Sequence, residues 1–280
     1  MAPTPPPTST HAVPKLHLQV LNLSHKGTQA LSHALPSLPT AFHHAAELVL
    51  STLYPPTLSS DSSSPSPSSS HRPAPPPVRF VTLHVRAFDG VAYTCGSDLD
   101  SMHKELHLNA GYVESVAGQS GQGKEGDEKL RHEVMGVLVH ELVHAFQWDG
   151  EGSVPGGVIE GVADWVREQV GLGARHWREG PGDDDKWDAG YQTTGFFFRW
   201  LSAHFSNPLL VPHLNLALRS SHWDEGAHLK RLLHGQDVEK LWEMYKRELE
   251  KRKAGEVEEE GEAPRPVPTH AAGSGYSVRY

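Results

Sequence analysis

Residues 140–144 read His-Glu-Leu-Val-His, and no other stretch of the chain is as well suited to chemistry. Two histidines four apart face the same way from a helix, so His140 and His144 can grip one divalent metal ion from one side. Glu141, about 100° further round, reaches a water on that ion and suits a general base. A second pair follows at the same spacing, Glu160 and Asp164, after Pro155, Gly156 and Gly157, which suit a turn opening a helix. Two buried carboxylates repel each other unless a cation or a donor separates their roles. The natural division puts Glu160 on the metal and Asp164 on the far nitrogen of a ligand histidine. The swapped assignment, with Asp164 as the ligand, stays open. Hydrolytic zinc takes three protein ligands and keeps one open position, so one Zn2+ ion is the expected cofactor. A purely structural zinc would need a fourth protein ligand, and only three are nameable.

The setting separates this pattern from a look-alike. Val134, Met135, Val137, Leu138 and Val139 precede His140, and Val143, Ala145 and Phe146 follow. A helix apolar on most sides belongs in a core, where two histidines and a glutamate need partners. The segment His103-Lys104-Glu105-Leu106-His107 has the same histidine spacing, but its glutamate is one place off and it has strand character. It reads as an ordinary surface face. For an oxyanion donor the candidates are Tyr191, which begins a later helix among charged neighbours, and then His176. The aromatics Phe196 to Phe198 and Trp200 read as core. The run Asp183 to Asp185 reads as a solvated loop.

The chain has 25 Lys and Arg against 34 Asp and Glu, a formal charge of −9. That balance argues against nucleic acid and anionic lipid as partners. The lone cysteine, Cys95, excludes intramolecular disulfides and cysteine-based zinc clusters, whereas histidine is abundant at 20 residues. No run of 18 apolar residues predicts a membrane span, and the first residues lack the features of a signal peptide, so a cytoplasmic or otherwise intracellular location is expected, with unconventional secretion left open.

Alternation predicts strands at 16–20, 78–85, 91–95 and 104–109. Helical spacing predicts helices at 38–53, 128–148, 156–171, 188–205, 208–219, 224–233 and 237–250. Strands first and helices later make an α+β domain. Of the 23 residues in 55–77, 17 are Pro or Ser, which predicts a disordered insertion. Residues 1–12 and the acidic, proline-bearing 253–280 are expected to be disordered as well. One domain over 13–252 remains.

HELVH followed by a Glu-x-x-x-Asp helix resembles the gluzincin metallopeptidases, a branch of the zincins. More closely, HELVHAFQWDGEGSVPGGVIEGVADWVREQVGL, KWDAGYQTTGFF and the upstream FDGVAYTCGSDLDSMHKELHLNAGYV resemble the basic secretory protein family, classed as zinc peptidases of plants, fungi and bacteria. The likeness covers about 78–250. It implies a twisted mixed sheet over the HExxH helix, with a helical second half. It also implies His140, His144 and Glu160 as zinc ligands, Glu141 as general base and Asp164 as support to a ligand. An edge strand upstream of the active helix would bind the backbone of a peptide or protein substrate, and 106–110 is the expected strand. The chain departs from the family name in being acidic and in showing no signal peptide. A different class of function, a zincin-shaped binding or defence module with little turnover, stands as the alternative.

Overall fold

A computed structural model describes residues 11–58, 73–181 and 186–261, the last seven without their side chains. The amino-terminal half builds a four-stranded mixed sheet. Strands β1 (Lys15–Val20), β2 (Phe80–Arg86) and β4 (Asp100–Asn109) run parallel, and β3 (Ala92–Ser97) is antiparallel to β4. Their order is β1-β2-β4-β3.

Strict alternation gives the sheet two unlike faces. Val81, Leu83, Val85, Leu106 and Leu108 are fully buried on one, where helices cover them. On the other stand Thr82, His84, Arg86, Glu105 and His107. Strand order corrects one expectation. The 106–110 segment is the end of β4 and the start of a helix, and β4 is hydrogen-bonded on both sides. Its backbone is already paired; the free edges belong to β1 and β3, and β3 is the edge strand packed against α4.

Nine helices complete the described residues. Helices α1 (Lys26–Ala34) and α2 (Leu38–Leu53) precede β2, and α3 (Ala110–Ser120) follows β4. Then come α4 (Gly123–Phe146) and α5 (Gly156–Gln169). The chain finishes with α6 (Tyr191–His204), α7 (Leu210–Ala217), α8 (Glu225–Leu232) and α9 (Val238–Gly261). The α+β class is as expected, although α1 and α2 fall between β1 and β2. α1 and α3 lie where no helix was expected. α9 runs past 252, because Ala254 and the glutamates after it favour helix and no proline intervenes before Pro264.

Part of the 55–77 segment is described. Residues 55–58 and 73–77 are described, and Leu58 is buried in the core. Residues 59–72, like 1–10, 182–185 and 262–280, lie outside the described residues. The Asp183 to Asp185 reading falls there. Among the described residues no helix is long and apolar enough to cross a membrane.

α4 is the central helix, packed between the sheet, α2 and α5. Tyr54, just past α2, donates to the carbonyl of Phe146 at 2.6 Å and accepts from Asn215 of α7 at 3.0 Å. Asn215 in turn accepts from the Trp148 amide, so the carboxyl end of α4 is tied to two other helices. α5 and α6 meet through glycine. A Cβ on Gly157 would lie 1.7 Å from the Asp188 carbonyl oxygen, and one on Gly161 would lie 2.2 Å from Thr194 Cγ2. Only hydrogen at these positions lets the start of α6 reach the face of α5 that carries Glu160.

Candidate metal centre

Burial of α4 and α5 against each other brings the predicted residues together. His140 Nε2 lies 3.2 Å from His144 Nε2 and 3.0 Å from Glu160 Oε2, and His144 Nε2 lies 3.6 Å from that oxygen. Ligands bound to zinc at about 2.0–2.1 Å with tetrahedral angles stand about 3.3 Å apart. The triangle therefore fits one such ion, and its donor set of two imidazoles and a carboxylate suits zinc.

The far nitrogens of both rings are also held. Asp164 Oδ1 stands 2.6 Å from His140 Nδ1, and the Asp164 carboxylate is buried. Of the two divisions of labour left open above, this geometry matches Glu160 facing the imidazole pair and Asp164 behind one ring. Gln147, one turn beyond His144, lies 2.7 Å from its Nδ1. With its amide turned so that Oε1 faces the ring, Gln147 accepts an Nδ1 proton and leaves Nε2 unprotonated.

Electrostatics follow from the packing. Burial disfavours charge on His140, yet hydrogen bonds to Asp164 and Glu160 outweigh it and push the imidazole up to about 9. Burial would raise Glu160, but hydrogen bonds from His140 and His144 hold it down to about 2. The two carboxylates on either side of His140 thus favour a proton on its ring.

Glu141 is buried at the cleft wall, and Thr94 of β3 holds it. The Thr94 hydroxyl stands 2.8 Å from Glu141 Oε2 and 2.9 Å from the Glu141 carbonyl oxygen. Tyr191 opens α6 at φ 46°, a left-handed conformation that bulky residues seldom adopt. The turn before it is fixed by Thr194, whose hydroxyl accepts from the Gly190 amide at 2.9 Å and donates to the Trp187 carbonyl at 2.8 Å. The Tyr191 ring lies parallel to that of His140, with centroids 6.2 Å apart. Its phenol is pushed up, chiefly by the charge of Glu160 and then by burial. His176, the other oxyanion candidate, is exposed and lines the same cleft. The aromatics of α6 are core, as expected: Phe197 and Phe198 are fully buried, and Phe196 and Trp200 nearly so.

These residues share a cleft of about 1450 Å³. One wall is β3 with Ala92, Tyr93 and Thr94, and its floor includes His140, Glu141, His144 and Glu160. Sequence reasoning missed Thr94 and Gln147. Gln147 was legible in principle, three residues beyond His144 on the same helix. Thr94 was not, because its partner lies 47 residues away and the pairing depends on strand order.

Fold and site together define an α+β protein with a candidate mononuclear metal centre built on two packed helices. Residues 13–245 match the BSP family, described as peptidases of plants and bacteria, and the chain belongs to that family. No curated protein and no solved structure matches it.

Proposed function

We propose that the protein is a zinc metallopeptidase of the gluzincin kind, with a zincin-like arrangement of sheet and active helix. The observation that carries this reading is the convergence of His140 Nε2, His144 Nε2 and Glu160 Oε2 beside Glu141 on the floor of one cleft. Zinc, when bound, supplies an electrophile for the scissile carbonyl oxygen and lowers the pKa of the attacking water. His140, His144 and Glu160 hold the ion, and Asp164 and Gln147 orient the two rings.

Glu141 takes a proton from the attacking water as oxygen bonds to the carbonyl carbon. It then delivers that proton to the amine nitrogen as the C–N bond breaks. Thr94 keeps the Glu141 carboxylate turned into the cleft. The Tyr191 hydroxyl donates to the oxygen on which negative charge develops. A substrate segment lies along the free edge of β3, pairing through its backbone as an added strand. Family membership as a peptidase supports the same reaction class.

Digestion of a mixed peptide library tests this. Cleavage is expected with zinc, its loss with a chelator, and its return when zinc is restored. If zinc-loaded protein cleaves nothing, the fold serves instead as a zincin-shaped binding module.

A further inference from the structure

The look-alike segment at 103–107 lies on β4, where residues four apart are about 14 Å apart, so its two histidines cannot share an ion. Alternation does something else with it. Glu105 and His107, two apart, stand on the same face of β4, and the parallel register places His84 of β2 directly beside His107. The two rings stack with centroids 4.4 Å apart and planes 6° from parallel, so one ring must tilt out of the stack for both in-plane Nε2 lone pairs to meet on one ion. Both reach the same oxygen: His84 Nε2 lies 3.8 Å and His107 Nε2 3.6 Å from Glu105 Oε2. All three ligand atoms fall within 4.8 Å of one another.

We propose that His84, Glu105 and His107 form a second binding site for a first-row divalent cation such as Zn2+, Ni2+ or Cu2+, on the face of the sheet opposite α4. The donor set, two imidazoles and a carboxylate, is the one these ions prefer over Mg2+ or Ca2+. His107 is already oriented, sandwiched between His84 and Tyr93, whose ring stacks on it at 4.4 Å. Glu105 and His84 are the adaptable members: the Glu105 side chain, 31% exposed, has room to close on the ion, and the His84 ring tilts out of the stack to turn its Nε2 towards it.

Arg86 sets the strength of the site. Its Nε donates to His107 Nδ1 at 3.2 Å, which leaves the ring proton on Nε2, aimed at Glu105. Metal binding at Nε2 moves that proton to Nδ1, which then no longer accepts from Arg86, so Arg86 turns its hydrogen bonding towards the Tyr93 hydroxyl, to which Nη2 already donates at 2.7 Å. A fixed cation so close opposes a second one. This site therefore binds more weakly than the centre on α4, where carboxylates stand on both sides of His140.

The inference does not depend on the peptidase reading, and the experiment separates the two. Metal-stripped full-length protein is dialysed against increasing Zn2+, and the bound metal is counted by elemental analysis. Two equivalents per chain are expected, the second weaker. His84→Ala should hold one and keep the peptidase activity of the unaltered chain. Glu105→Gln, a conservative change that keeps the fold as judged by thermal melting, should weaken the second equivalent by about tenfold or more. The pair His140→Ala with His144→Ala should still bind one ion on the sheet, whatever becomes of catalysis. No ion held by the His140→Ala, His144→Ala pair at excess Zn2+, or a second equivalent unchanged in both His84→Ala and Glu105→Gln, overturns the proposal.

Discussion

Asp164 Oδ1 lies 2.6 Å from His140 Nδ1, and this contact turns the opposite nitrogen of the ring towards Glu160. Asn in place of Asp164 keeps the shape but removes the charge that holds the proton on Nδ1. Asp164→Asn should lower zinc affinity by about 10–100-fold, read by competition with a chromophoric chelator. Unchanged affinity would mean that the carboxylate serves packing alone.

Thr94 makes a distinct prediction. Its hydroxyl contributes a hydrogen bond to a charged group, worth about 1.5–3 kcal/mol. Thr94→Val should therefore reduce kcat by about 10–100-fold with zinc content unchanged, and Thr94→Ser should recover most of the rate. Equal kcat for the valine variant would remove Thr94 from the account.

The Tyr191 hydroxyl should matter to the transition state more than to metal binding. Tyr191→Phe keeps the ring beside His140 and is expected to lower kcat by about 10²–10³-fold, the range for losing one oxyanion donor. KM and metal content should barely move. A wild-type kcat would return the role to another donor, with His176 next in line.

Under the proposed zinc chemistry, a proton and the metal compete for His140. His140 in the metal-free protein is pushed up to about 9 from 6.5, so its contribution to stability is full below 6.5 and is lost as pH rises through 9. Glu160 is held down to about 2 from 4.5, so its contribution is full above 4.5 and is lost as pH falls towards 2. The metal-free site thus stabilises the fold most between 4.5 and 6.5. Zinc need not displace a proton once His140 is neutral, so the gap in Tm between zinc-loaded and metal-free protein should widen as pH rises from 6.5 towards 9. Thermal melts across that interval check it, and a constant gap would contradict it.

Legibility in the sequence tracks how local each signal is. α4 and α5 were readable because long apolar runs and i,i+4 pairs lie within single helices. α1 and α3 were not. Their buried faces are built from small or few residues, Gly27, Thr28, Leu31 and Ala34 on one and Ala110 and Val113 on the other. They meet at Gly27, where a Cβ would lie 1.8 Å from the Ala110 carbonyl oxygen, so close contact replaces a hydrophobic stripe. The edge strand was misplaced for a related reason. β4 is the longer strand with the more regular apolar alternation, while β3 reads Ala-Tyr-Thr-Cys-Gly-Ser, and no local pattern reports which of two neighbours has the free edge.

Zinc content and peptide cleavage, measured side by side on the unaltered protein and Glu141→Gln, test the central claim most directly. Glu141 lies outside the ligand triangle, so the variant should carry as much zinc as the parent. It should cleave peptides at least about 10²-fold more slowly, since the base that accepts the water proton is gone. A variant that retains its zinc and cleaves at the parental rate would contradict the account.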